Sequence, residues 1–164
     1  MDYLDTYSPV AKLASFQTIL ALAAHFDWEV KCFDFNSAYI NGELEESEEI
    51  YMEQPPGYEK GGKDFVKRLR KALYRLKQVG RRWYDTFKRE LADLGFQAST
   101  ANPGVFYTQI NSSILVIAVH VDDCVMTGHS SKLITVYKAK LNDKFPLTDL
   151  GPINSLLRIQ VTCN

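Results

Sequence analysis

The chain has 164 residues, 46% of them hydrophobic and 12% aromatic, enough for one domain, residues 1–164, with a real core. A net charge of −1 excludes a uniformly basic or acidic polyelectrolyte. The apolar run Ile114 to Val119 is far too short to span a bilayer, so no membrane partner is expected.

In chain order, Ser8-Pro9 is a reasonable helix entry, and residues 8–27 carry Leu13, Phe16, Leu20, Ala23 and Phe26 at helical spacing. Trp28 to Phe35 reads as a strand, with Trp28, Val30, Cys32 and Asp34 on one face. Asp34 is an acid at the end of a mostly apolar face. It is either an N-cap for the turn near Asn36 or part of a site. Asn41-Gly42 marks a turn. Glu43, Glu45, Glu46, Glu48 and Glu49 form a solvated acidic run. Ile50-Tyr51-Met52 is a short strand, and Gln54-Pro55-Pro56-Gly57 leaves regular structure.

Phe65 to Arg70 alternates loosely and reads as a further strand. Gly80 precedes an amphipathic helix from about Arg81 to Leu94, with Trp83, Phe87, Leu91 and Leu94 as its buried stripe and Gly95 as its C-terminal stop. Gly104 to Ile110 and Ile114 to Val121 read as strands joined through Asn111-Ser112-Ser113. Ser130 or Ser131 caps a third helix bearing Leu133, Val136, Tyr137 and Leu141. Extended segments from Phe145 to Val161 close the chain. The order predicts an α+β fold, an antiparallel sheet with helices packed on one face.

Charge is unevenly spread. Residues 61–90 hold 11 basic and 3 acidic residues, while residues 1–60 hold 3 basic and 12 acidic. Such a block is either a polyanion-binding surface or a solvated basic face. The cysteines Cys32, Cys124 and Cys163 lack metal-ligand spacing and read as reduced thiols of an intracellular, cytoplasmic protein. The acidic opening Met1-Asp2-Tyr3-Leu4-Asp5 is unlike a signal peptide.

His120-Val121-Asp122-Asp123 ends one apolar run, and Cys124 to Gly128 begins another. The pattern is a hairpin with an acidic tip. Adjacent carboxylates repel, and a divalent cation relieves the repulsion. Asp34, 88 positions earlier, would complete a set of three. Spacing alone does not bring them together.

Several segments carry a resemblance. They are Thr6-Tyr7-Ser8-Pro9-Val10-Ala11-Lys12, Phe33-Asp34-Phe35-Asn36-Ser37-Ala38-Tyr39 with Asn41-Gly42, and Tyr51-Met52-Glu53-Gln54-Pro55-Pro56-Gly57. Ala72-Leu73-Tyr74-Arg75-Leu76-Lys77-Gln78, Arg81 with Trp83-Tyr84, Val121-Asp122-Asp123 and Asp149-Leu150-Gly151-Pro152 complete it. The chain resembles, over nearly its whole length, the reverse transcriptase region of copia-type LTR retrotransposons. The resemblance implies a right-hand polymerase palm with partial fingers, acting as an RNA-directed DNA polymerase on an RNA/DNA template–primer and dNTPs.

It further implies that Asp34, Asp122 and Asp123 are the catalytic acids. With the backbone carbonyl of Phe35 they would hold two Mg²⁺ ions, for which Mn²⁺ can substitute. By the same resemblance Tyr39, otherwise a core tyrosine, is a steric gate against ribose, and Gln78 and Lys77 line the nucleotide pocket. Lys67, Arg68, Arg70, Lys71, Arg75 and Arg81 would face phosphates.

Four positions depart from the pattern. His120 stands where tyrosine is usual, Gln17 replaces an arginine, and Arg75 and Arg158 replace glycines. The chain opens past the family's first fingers strands and stops before a thumb or RNase H domain. That reads as a fragment or degenerate copy of a Pol polyprotein, virus-like particles included among its settings, with weak or absent polymerisation on its own. A second reading is a catalytically silent remnant that binds nucleic acid or a partner through residues 63–89. A palm-like nucleotidyl cyclase or phosphoesterase ranks last, because it leaves Tyr39 and Gln78 unexplained.

Overall fold

A computed structural model describes residues 8–44, 49–62, 64–73, 76, 78–157 and 159–162. Three helices, α1 (Leu13–His25), α2 (Val79–Asp93) and α3 (Ser131–Lys144), accompany a mainly antiparallel sheet. In chain order the strands are β1 (Val30–Phe35), β2 (Tyr51–Glu53), β3 (Val66–Arg68), β4 (Gln97–Ala98), β5 (Val105–Ile110), β6 (Ser113–His120), β7 (Asp123–Gly128) and β8 (Leu147–Pro152). Six of them form one sheet in the order β4-β5-β6-β7-β1-β8. Every neighbouring pair in it is antiparallel. β2 and β3 form a separate hairpin, and Ser155–Leu156 pairs with Ile159–Gln160.

The helices do not share one face of the sheet, contrary to the sequence reading. β1 alternates: Phe33 and Phe35 join α2 and α3 in one core, while Cys32 joins α1 in another. The cause lies in β6 and β7. Both are nearly continuous apolar runs, and a strand apolar on both faces needs cover on both. Leu115 and Ile117 of β6 pack toward α2, and Ala118 packs toward α1.

Helix α1 begins at Leu13, not near Ser8-Pro9. The segment before it is extended: Lys12 has φ −73° and ψ 150°, and Ala11 donates its N–H to the Val119 carbonyl at 2.7 Å. That backbone is engaged by the sheet and is unavailable to a helix. α2 begins before Gly80, which lies inside its first turn, and Gly95 stops the chain after it with φ +88°. Trp83, Phe87 and Leu91 are buried as expected, joined by Tyr84. In α3 the buried pair is Ile134 and Leu141, while Val136 is exposed. The Ser130 hydroxyl accepts from Leu133 N and caps this helix.

The core under α2 is aromatic. Phe35 makes edge contacts with Trp83, Phe87 and Phe145, centroids 5.1–6.1 Å apart. Edge-to-face packing of this kind adds roughly 0.5–1.5 kcal/mol per pair beyond area burial. This cluster lies directly beneath the end of β1 that carries Asp34.

Candidate active site

β6 and β7 are joined by a two-residue loop, Val121-Asp122. Tight hairpins of this kind need positive φ, which glycine or asparagine usually supplies. Here Val121 adopts it, with φ 62°. A β-branched residue in that region is strained by on the order of 1–3 kcal/mol. Two hydrogen bonds hold the loop, and a third contact steadies the strand residue before it. Trp83 Nε1 donates to the Val121 carbonyl at 3.2 Å. Phe35 N donates to the Asp122 carbonyl at 3.0 Å. His120 Nδ1 lies 3.3 Å from the Ala11 carbonyl, which accepts from it in the Nδ1–H tautomer.

Strand register brings the acids together. Asp34 is the direct partner of Asp123, His120 is the partner of Asp123 from the other side, and Thr148 is the partner of Asp34. Directly paired residues share a face. The row His120, Asp123, Asp34, Thr148 therefore crosses four strands on the α1 side of the sheet. Asp122 adjoins it in the turn.

The electrostatics fit a crowded set of acids. Desolvation, then the charge of Asp123, raises the Asp34 carboxyl above its ordinary value. Desolvation raises Asp122 too, followed by repulsion from Asp34 and Asp123. Burial, with Asp123 nearby, pushes the Cys32 thiol to about 11. The Oδ1 atom of Asp122 is buried and has no hydrogen-bond partner among the described residues. An orphaned carboxylate oxygen beside like charges is matched to a hard cation. Among the described residues no three His, Cys, Asp or Glu side chains already form a metal cage. Mg²⁺ ordinarily uses one or two carboxylates together with substrate phosphates, so a ready-made cage is not required.

The other expected site residues are placed as follows. Asp34 does not cap the next turn: the 3-10 turn Ala38–Asn41 is preceded by Ser37. The Phe35 ring is fully buried, and its backbone touches the hairpin through Asp122. Tyr39 lies in the 3-10 turn and packs against the aromatic core. Gln78 immediately precedes α2 and gives no side-chain cap.

Lys67 and Arg68 are exposed on β3, with Arg70 and Lys71 just beyond it, so these four belong to the β2–β3 hairpin region and not to the acid row. Arg68 also lies 4.0 Å from Glu49. Arg81 is paired with Asp85 at 2.8 Å within α2. Gln17 is exposed on α1. Lys77, Arg75, Arg158 and Cys163 lie outside the described residues, as do Glu45, Glu46 and Glu48 of the acidic run.

Sequence reasoning assigned Trp83 to helix core and missed its bond to the hairpin. The partners are 38 residues apart, and no local signal links them. It also missed Thr148, which is placed beside Asp34 only by strand register.

The class of the protein is set over its whole length. Residues 1–164 match the family described as reverse transcriptase (RNA-dependent DNA polymerase), and the chain belongs to that family. Among particular relatives, it is 37% identical over 163 residues to the retrovirus-related Pol polyprotein from transposon TNT 1-94 of Nicotiana tabacum, covering 98% of this chain and 12% of that protein. It is 35% identical over 161 residues to the corresponding polyprotein from transposon RE2 of Arabidopsis thaliana, covering 98% of this chain and 11% of that one. The Ty1-H Gag-Pol polyprotein of Saccharomyces cerevisiae is 31% identical over 171 residues, with 98% and 9% covered. The chain thus spans about a tenth of the length of these polyproteins. No solved structure matches it. No helix among the described residues is long and apolar enough to cross a membrane.

Proposed function

We propose that this chain is the palm, with partial fingers, of an RNA-directed DNA polymerase, a single unit that extends a primer 3′-hydroxyl with dNTPs. The observation that carries the reading is the Asp34–Asp123 register with Asp122 in the adjoining turn, within a chain that belongs throughout to the reverse transcriptase family.

Asp34, Asp122 and Asp123, with the Phe35 carbonyl, would hold two divalent cations, Mg²⁺ in the first instance. When bound, such ions lower the pKa of the attacking hydroxyl and neutralise charge on the departing pyrophosphate. The chain's own part is positional. Asp34 and Asp123 share a face of the sheet, and the Val121-Asp122 turn carries Asp122 beside them. The ring of Tyr39 excludes a ribose 2′-hydroxyl and so favours deoxynucleotides. Gln78 and Lys77 line the nucleotide pocket, and the β2–β3 region with Arg75 and Arg81 meets phosphates of the template–primer. Other segments of a Pol polyprotein are its natural neighbours.

Primer extension tests this. The assay uses this chain, and a version extended at both ends with flanking Pol segments, with Mg²⁺ and one dNTP. Incorporation is expected from the extended form and is lost in its Asp122→Asn variant. Incorporation that survives Asp122→Asn would refute the assignment.

A further inference from the structure

We infer that Trp83 is a positioning residue for the catalytic hairpin, acting through the Val121 carbonyl; the inference rests on the reading of Asp34, Asp122 and Asp123 as the catalytic acids. Its indole N–H locks the central peptide plane of the Val121-Asp122 turn.

Asp122 lies between two peptide planes. The plane before it carries the Val121 carbonyl, which accepts from Trp83 Nε1 at 3.2 Å. The plane after it carries the Asp122 carbonyl, which accepts from Phe35 N at 3.0 Å. Fixing both planes fixes the backbone of Asp122, and with it the direction of its side chain. The Asp122 Oδ1 atom has no hydrogen-bond partner of its own among the described residues, so this backbone grip orients the carboxylate.

The turn also needs the grip. Val121 pays a steric penalty at φ 62°, and relieving it requires rotation about its own N–Cα bond, which carries its carbonyl away from Trp83. A hydrogen bond to that carbonyl opposes the rotation.

The donor is itself held. Trp83 is 2% exposed, and its ring contacts Phe35, Phe87 and Phe145 at centroid separations of 5.5, 5.2 and 5.0 Å. The residue that holds one plane therefore packs against the side chain of the residue that holds the other. The acidic tip is anchored at two consecutive carbonyls to one aromatic cluster.

Trp83→Phe deletes the donor and keeps an aromatic ring in the cluster. Hydrogen–deuterium exchange of this chain, read by amide NMR, is expected to speed at His120 and Asp123, the pair that closes the hairpin, by about tenfold, with β1 and the middle of β6 unchanged. Mn²⁺ affinity, followed by paramagnetic broadening, is expected to fall by a similar factor. In the Val121→Gly background the same substitution is expected to speed hairpin exchange by less than about threefold, because glycine accepts positive φ without strain. Unchanged exchange at the hairpin overturns the inference. So does an increase spread evenly over the sheet, or an equal penalty in the Val121→Gly background.

If Trp83→Phe does not fold, the wild-type chain decides. It has two tryptophans, Trp28 and Trp83, and hence two indole N–H signals. The Trp83 signal is expected to be protected to the same degree as the hairpin amides; exchange as fast as that of a free indole overturns the inference. These exchange measurements need neither cation nor primer. Failure of the polymerase assay with protection intact would count against the proposed function and leave the anchoring in place.

Discussion

Asp34 of β1 is the direct cross-strand partner of Asp123 of β7. Like charges so placed are destabilising, and Asp122 in the next turn adds to the repulsion. In metal-free solution the acids therefore weaken the fold.

Asp34→Asn and Asp122→Asn are each expected to raise the thermal unfolding midpoint in the presence of a chelator. The sign follows from linkage. Both carboxyls are raised above 3.8 in the folded chain, so the folded state binds their protons more tightly than the unfolded state. Their contribution to stability falls as pH rises from the ordinary carboxylate range through the raised values, and stays unfavourable above them. The advantage of the Asn variants should thus be full at neutral pH and shrink as the solution is acidified. Mg²⁺ should raise the wild-type midpoint more than that of either variant. Thermal melts across pH, with and without the cation, check all three.

Gly104→Ala is expected to destabilise the chain by about 1–3 kcal/mol, the usual cost of overpacking. A Cβ at Gly104 would overlap the backbone of Val10 and Ala11. That backbone is rigidly placed, because Ala11 N bonds Val119 and the Ala11 carbonyl meets His120. The strain would be transmitted to the base of the acidic hairpin. Urea denaturation measures the loss, and exchange at His120 locates it.

Neutralising Lys67, Arg68 and Arg70 together is expected to weaken nucleic-acid binding and flatten its salt dependence. Each phosphate contact removed lowers the slope of log affinity against log salt by about 0.9 on a duplex and about 0.7 on a single strand. Binding titrations at several salt concentrations measure the slope. An unchanged slope would mark these exposed residues as a solvated face.

The sequence readily disclosed what is local or periodic. The apolar run of β6, the presence of an acidic hairpin after it, the stripe of Trp83, Phe87 and Leu91, and the cap at Ser130 all follow from spacing and side-chain chemistry, although the turn itself falls at Val121-Asp122 and Asp123 already lies in β7. The helix start at Leu13 was not legible, because what stops the helix earlier is a long-range bond from Ala11 to Val119. The placement of α1 opposite α2 and α3 required weighing two-sided burial of β6 and β7 over the simpler one-faced pattern. At the site, alternation placed Asp34 on its face of β1, but its pairing with Asp123 depends on strand order. Local pattern does not encode that order. The family resemblance supplied the expectation that these acids meet; the register pairs Asp34 with Asp123 and leaves Asp122 in the adjoining turn.

Asp34 and the Asp122-Asp123 pair are proposed to bind a divalent cation together. Mn²⁺ titration of the isotopically labelled chain, by amide NMR on the wild type and on Asp34→Asn and Asp122→Asn, decides the matter. Paramagnetic broadening is expected to centre on Asp34, Asp122 and Asp123 and to weaken sharply in both variants. Broadening centred elsewhere and indifferent to both substitutions would contradict it.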